Sequence, residues 1–218
     1  MNVVRACVVG VALLASGCFG NEVTEFPDGL EPLGENDIDP PEGTADDPCP
    51  EEYVLEASGG SRFDTILGRG YIKAPIEDVW AAYRDPAVGA DRRTSPEWST
   101  TPLEDPDYDE SYLVHHIAHD IVTVEWDVTW RHGLIAGSEE APELVSMRWQ
   151  KTNGSTLISV IEGSLLLSPA CDGAATELEL VYHASAAGSG TDTYLRYQRD
   201  IFEDAVEVTH GRPLPTFE

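Results

Sequence analysis

The chain is short of positive charge. It has 13 Lys and Arg residues against 40 Asp and Glu residues, for a formal net charge of −27, and only two of the cations are lysines. Nucleic-acid binding needs clustered cations that neutralise phosphates, so this balance argues against a nucleic-acid partner. We interpret the acidity as an aid to solubility or an adaptation to salt rather than as a means of binding cations.

Long apolar runs and the common catalytic motifs are also missing. No run reaches the roughly 20 apolar residues that a membrane-spanning helix needs. The sequence has no nucleophile elbow, phosphate-binding loop or zinc-binding helix motif, so we expect no cofactor and no metal. With 41% hydrophobic residues in 218 positions, the chain can still bury the core of one folded domain.

The first 18 residues predict export followed by lipid attachment. Arg5 precedes an apolar run at 6–15, which is too short to cross a bilayer and ends in small residues, as a secretory signal does. The sequence Ala15-Ser16-Gly17-Cys18 resembles the lipobox of bacterial lipoproteins, although Ala15 stands where that family usually has Leu. The alternative is an ordinary secretory signal with an incidental cysteine.

The lipobox resemblance implies a signal peptide at 1–17 and acyl chains, palmitate among them, on Cys18. More than one acyl chain would give a stable membrane anchor. Phe19 follows the cysteine where lipoproteins kept in the inner membrane typically carry Asp, so the resemblance implies the outer membrane of the bacterial cell envelope.

Residues 18–60 have the composition of a disordered tether. They contain 13 acidic residues, no Lys or Arg and six prolines. Like-charge repulsion and proline leave no amphipathic face to bury. We therefore place the folded domain at 61–212 and a short tail at 213–218, and we expect a monomer.

Two cysteines remain once the signal peptide and the lipid site are set aside. Cys49 ends the acidic segment, and Cys171 lies in a Pro- and Gly-containing loop between predicted strands. An even pair in an exported protein usually forms a disulfide, which we predict here. A metal site is the weaker alternative, because ligands at metal-binding spacing are missing nearby.

Hydrophobic periodicity predicts one domain of strands and helices. A strand at 63–73 ends in Ala74-Pro75 and is followed by a helix with Pro and acids in its first turn. Short connecting elements fill 85–108. Strands with alternating polarity follow at 111–119, 121–131, 143–152, 156–168 and 174–187, and a helix at 191–210 ends the domain. Asn153-Gly154 indicates a tight hairpin, so the strands form an antiparallel meander.

This order of elements resembles the START-like superfamily, also called SRPBCC or polyketide-cyclase-like. The resemblance also rests on the segment Gly70-Tyr71-Ile72-Lys73-Ala74-Pro75-Ile76-Glu77-Asp78-Val79-Trp80. The resemblance covers about residues 62–210. It implies an α+β helix-grip fold: a curved antiparallel sheet wraps a long C-terminal helix, one or two short helices follow the first strand, and an apolar cavity often lies between sheet and helix. The superfamily includes binders and enzymes, so the fold does not select a function.

Large aromatic and apolar side chains on the predicted inner faces could line such a cavity. Aromatic walls give contact area and their polar tips orient a ligand. The candidates are Trp126, Trp130, Met147, Trp149, Tyr182, Tyr194, Tyr197 and Ile201. Simple core packing is the alternative interpretation.

Histidines are the candidates for acid–base chemistry. His115, His116 and His119 form the one dense cluster, and His183 lies in a later strand. His115 and His119 share a strand face but lie too far apart for an easy shared metal. We take His115, His119 and His183 as weak catalytic candidates, with ordinary surface histidines as the alternative.

Three functions remain open at this point. The first is a membrane-anchored lipoprotein that binds a hydrophobic small molecule or lipid in an internal cavity. The second is a cyclase- or hydrolase-like enzyme with a cavity histidine as acid or base. The third is an envelope interaction module whose grip is filled by its own side chains. Cavity volume separates the third from the others.

Overall fold

The computed structural model describes residues 20–119 and 122–217. The predicted signal peptide and Cys18 lie outside these residues. None of the helices in the two ranges is long and apolar enough to span a membrane. The elements are β1 (Tyr53–Ser58), β2 (Asp64–Ile72), α1 (Ile76–Tyr83), α2 (Pro86–Gly89), β3 (Glu97–Pro102), β4 (Glu110–His119), β5 (Thr123–Ser138), β6 (Ala141–Gly154), β7 (Ile158–Ala170), β8 (Ala175–Ala186) and α3 (Thr191–Thr209).

All eight strands form one antiparallel sheet in the order β1-β2-β8-β7-β6-β5-β4-β3. The sheet wraps α3, so the predicted helix-grip fold is confirmed. Two strands come from segments where we had not predicted them. β1 lies in the acidic segment, and β3 lies in the segment predicted to hold a short helix and loops.

Alternation along the strands separates an inner face from an outer face. On β5, Trp126, Val128 and Trp130 are buried against the core, and Glu125 and Asp127 point to the other side. The inner face meets a buried stripe on α3 that includes Tyr194, Ile201, Phe202 and Ala205.

Residues 20–52, which we call the strap, cross the outer face of the sheet. Backbone hydrogen bonds join Glu22 N to Gly154 O and Thr24 N to Thr152 O, at the end of β6. Farther along the strap, the Asn36 side-chain amide donates to the carbonyls of Gly68 on β2 and Leu180 on β8, at 2.9 Å each. The prediction of a disordered tether is therefore wrong for these residues.

Arginines on the outer face explain why an acidic, proline-rich segment docks. Arg131 donates to Pro27 O, Arg148 to Glu31 O and Arg69 to Ile38 O. These bonds use strap carbonyls, which composition does not reveal, and charged donors make them stronger than neutral ones. Because these bonds use backbone carbonyls of the strap, its docking needs no amphipathic pattern.

A disulfide fastens the end of the strap. Cys49 is bonded to Cys171 in the turn between β7 and β8, with their Cα atoms 6.4 Å apart. Among residues 20–119 and 122–217, no group of three His, Cys, Asp or Glu side chains is placed to hold a metal ion. The two cysteines predicted to pair are thus joined between the strap and the sheet.

The predicted C-terminal tail also lies against the domain. The Arg92 guanidinium donates to Pro215 O at 2.8 Å and forms an ion pair with Asp204 of α3. Arg93 lies over the ring of Phe217, 4.1 Å from its centroid. These contacts hold the tail beside α3.

Candidate ligand cavity

A cavity of about 510 Å³ lies between the inner face of the sheet and the first turns of α3. Cavities of this size suit a drug-sized ligand. Its walls are mostly apolar side chains from β4, β5, β7 and β8. Its aromatic and polar side chains include His116, Trp126, Tyr182, Tyr194, Tyr197 and Asp91.

The mouth of the cavity lies where three connections meet. Val122 belongs to the β4–β5 turn, Leu157 to the β6–β7 turn and residues 187–189 to the β8–α3 loop, and all of them line the cavity. Val122 is 43% exposed, so this part of the lining reaches the surface. We call these residues the mouth.

We call the space between the sheet and α3 the grip. The half of the grip away from the mouth is filled by side chains. Trp130 and Trp149 stack on each other there, and Met147 is fully buried. Gly163 on β7 leaves the space that the Trp149 indole occupies, and Gly89 does the same for Trp130, because a Cβ at either glycine would clash with the ring. The grip is therefore hollow near the mouth and solid at the far end.

Half of the predicted ligand-binding side chains line the cavity. They are Trp126, Tyr182, Tyr194 and Tyr197. The other four, namely Trp130, Met147, Trp149 and Ile201, belong to the core and are absent from the lining. Periodicity predicted an apolar strand face for Trp130 and the apolar helix stripe for Ile201, and both residues are buried. Their positions along those elements decide whether they meet the cavity, and periodicity carries no information on that.

The three histidines predicted as weak catalytic candidates lie outside the cavity lining. His115 contacts Asp127 on the outer face at 2.7 Å, and His119 contacts Glu97. His183 contacts Glu162 at 2.8 Å and stacks on Phe63. Each has a carboxylate partner, as structural surface histidines commonly do, so the cavity-histidine role was assigned to the wrong residues.

The histidine that lines the cavity is His116. Its side chain is 2% exposed and stacks on Trp126 with ring centroids 4.9 Å apart. Alternation could have identified it, because it continues the inward series of Tyr112 and Val114 on β4, whereas His115 and His119 share the opposite face.

Ser95 fixes the tautomer of His116. Ser95 Oγ lies 2.8 Å from both Asp91 O and His116 Nδ1. A carbonyl only accepts, so the single hydroxyl proton goes to Asp91 O and His116 Nδ1 must carry the proton that it donates to Ser95 Oγ. His116 Nε2 is then an unprotonated acceptor.

Burial sets the protonation of the polar groups in the cavity. It lowers the pKa of His116 to about 3, helped by the neighbouring His115, so the ring is neutral at ordinary pH. Burial raises the pKa of Asp91, while hydrogen bonds from Thr94 oppose that shift. Burial also raises the pKa values of Tyr182 and Tyr194, so both keep their hydroxyl protons.

Two of the tyrosine hydroxyls are held in place. Tyr197 donates its proton to Gly89 O at 2.8 Å. Tyr194 Oη accepts from Ala186 N at 2.8 Å, which leaves its own proton free to donate. The cavity therefore presents a few oriented polar groups on apolar walls, and no Lys or Arg is among the described residues that line it.

Comparisons with known proteins give similarity at the level of the fold alone. No family model and no curated protein matches the chain. The human StarD13 lipid transfer and protein localization domain is 10% identical, with 74% of this chain and 88% of that one covered and a TM-score of 0.48. A STAR-related lipid transfer protein from Xanthomonas axonopodis is 20% identical, covering 73% and 86%, with a TM-score of 0.42. The Zhui aromatase/cyclase from Streptomyces sp. R1128 is 12% identical, covering 68% and 92%, with a TM-score of 0.41. Likeness at these values does not extend to function.

Proposed function

We propose that this protein is a membrane-anchored lipoprotein that binds a hydrophobic small molecule or lipid in the cavity of its helix-grip domain. The observation that carries the proposal is the cavity of about 510 Å³. Protein interiors are normally packed with few voids larger than a water molecule. A space of this size, with apolar walls and an open mouth, is the usual form of a ligand site.

The cavity argues against the other two hypotheses. A grip filled by its own side chains, as an interaction module would have, does not leave this volume. For an enzyme, His116 is the histidine in the described lining, and a base with a pKa of about 3 accepts a proton poorly at neutral pH. Ligand binding without catalysis is therefore the function that the side chains support best.

The first described residue of the strap lies close to the mouth, so a membrane anchor just before it would be on the same side of the domain as the mouth. Gly20 O accepts a hydrogen bond from Thr156 N, and the next residue, Leu157, belongs to the mouth. Cys18 is two residues before Gly20, which is at most about 7 Å of extended chain. A lipid on Cys18 would bring the mouth to the bilayer, where a hydrophobic ligand could enter without crossing water.

Titration with the uncharged dye Nile red, followed by tryptophan fluorescence, tests the binding function. We expect saturable binding by the wild type. Ala118→Trp, which adds a large side chain to the cavity wall, should weaken binding at least tenfold. Ala141→Trp, at the exposed start of β6, is the matched control and should bind normally. Absence of saturation, or equal binding by Ala118→Trp, would contradict the proposal.

Anchoring is tested separately by fractionation. Cys18→Ser should move the exported protein from the membrane fraction to the soluble fraction and lower its intact mass by the acyl chains. Unchanged retention with unchanged mass would refute lipid attachment at Cys18 and leave the binding function untouched.

A further inference from the structure

One histidine in the cavity lining has a ring nitrogen without a hydrogen-bond partner among the described residues. His116 Nδ1 is bonded to Ser95, whereas its Nε2 has no hydrogen-bond partner among residues 20–119 and 122–217. Because His116 lines the cavity, a water molecule or a ligand can hydrogen-bond to an acceptor on its ring. Because Ser95 holds the proton of the neutral ring on Nδ1, Nε2 of that ring is an acceptor and not a donor.

The cavity also presents a donor. Tyr194 Oη already accepts from Ala186 N, so its proton is directed elsewhere. A hydroxyl group both donates and accepts, so it can satisfy either Nε2 of His116 or the proton of Tyr194. An ether or a hydrocarbon cannot donate to Nε2.

Charge in the lining disfavours an anionic ligand. Among the described lining residues, no Lys or Arg is available to pair with a carboxylate or a phosphate, and Asp91 is the one carboxyl group present. An anion transferred from water would lose its hydration without gaining a counterion. An ammonium group would have to depend on Asp91, whose Oδ1 already accepts a hydrogen bond from Thr94 N.

We propose that the natural ligand is an uncharged hydrophobic molecule with a hydroxyl group that donates to His116 Nε2. This inference rests on the proposed binding function and narrows its ligand class. It excludes fatty-acid anions and phosphate-bearing lipids as the preferred ligands.

Four matched pyrenes test the inference by fluorescence: 1-pyrenebutanol, 1-butylpyrene, 1-pyrenebutyrate and 1-pyrenebutylamine. We expect the alcohol to bind at least tenfold more tightly than the butyrate and more tightly than the amine. In His116→Phe, which keeps a ring stacked on Trp126, the affinity ratio of the alcohol to the hydrocarbon should fall about tenfold. His119→Phe is the matched control, because His119 lies on the outer face of the same strand and is absent from the cavity lining. It should leave the ratio unchanged.

A measurement on the wild type keeps the inference testable if His116→Phe does not fold. The ¹⁵N resonance of His116 Nε2 should have the position of an unprotonated ring nitrogen and should move when 1-pyrenebutanol binds, but not when 1-butylpyrene binds. If none of the four pyrenes binds, the binding function itself fails. If they bind but the ratio is insensitive to His116, or the butyrate or amine is preferred, the inference fails while the binding function stands.

Discussion

Trp130 and Trp149 stack with their ring centroids 4.5 Å apart and their planes 16° from parallel. The pair joins β5 to β6 across the inner face and fills the solid half of the grip. Trp126, four residues nearer the mouth on β5, faces the cavity instead. The boundary between core and cavity therefore falls between two tryptophans of the same strand.

Gly163→Ala should destabilise the packing of the Trp130–Trp149 pair. The added Cβ would clash with the Trp149 indole, so the ring must move within a packed core. Overpacking of this kind typically costs about 1 to 3 kcal/mol of unfolding free energy, which urea denaturation would measure. Gly34→Ala is the control, because its Cβ would meet nothing within 4 Å. Equal stability of the two variants would contradict the expectation.

His132 should make the protein sensitive to acid. Burial, with a smaller contribution from Arg84, lowers its pKa to about 3, against roughly 6.5 in the unfolded chain. Between these values the unfolded state binds a proton that the folded state does not, so stability is lost as pH falls through this window. At pH 5 the loss is about 2 kcal/mol.

His132→Leu removes that loss. The unfolding free energy of the variant minus that of the wild type should be about 2 kcal/mol larger at pH 5 than at pH 8. Urea denaturation at both pH values measures this difference. The comparison between the two pH values cancels any change in packing. The half-exposed His119, replaced by Leu, is the control. A pH-independent difference for His132→Leu would refute the assignment.

The bond between Cys49 and Cys171 should add several kcal/mol of stability. The two residues are 122 positions apart, so the chain-entropy model gives an upper value of about 5 kcal/mol, and removal of native disulfides typically costs about 2 to 5. The double variant Cys49→Ser, Cys171→Ser should match the reduced wild type in urea denaturation. Free thiols at both positions in non-reduced native material would contradict the pairing.

Asn36→Ala should loosen the middle of the strap. The variant loses three hydrogen bonds: the two that Asn36 donates to the carbonyls of Gly68 and Leu180, and the one that its Oδ1 accepts from Ile38 N. We expect strap docking to weaken by about 1 to 3 kcal/mol and amide hydrogen exchange in the strap to accelerate, with little change in the sheet. Asp39→Ala, exposed in the same segment, should exchange like the wild type.

The fold followed from the sequence where periodicity was strong. Alternation along β5 and the apolar stripe of α3 predicted the two faces that meet in the grip. β3 was missed because it has almost no buried residues to produce a pattern. The strap was missed because its partners are carbonyl oxygens, and every residue type carries one.

The site followed from the sequence only in part. Alternation predicted that Trp126 lies on the apolar face of its strand, and it lines the cavity. Tyr182, which was predicted from its aromatic side chain alone, lines the cavity as well. Asp91 and Ser95 lie in a connection without periodicity, so their approach to His116 depends on the tertiary fold. Alternating polarity predicts which side chains share a face of a strand. Whether those side chains line a cavity depends on where along that face the packed core ends.

The disulfide also limits how far the domain could move from a lipid anchor at Cys18. Roughly 30 residues separate Gly20 from Cys49, and they would span about 100 Å if fully extended. With an anchor at Cys18, the docked strap keeps the domain at the membrane, whereas an undocked strap would let it stand off by up to that length. Tension along the strap would stop at Cys49, before β1, so the domain could travel away from the bilayer with its sheet intact.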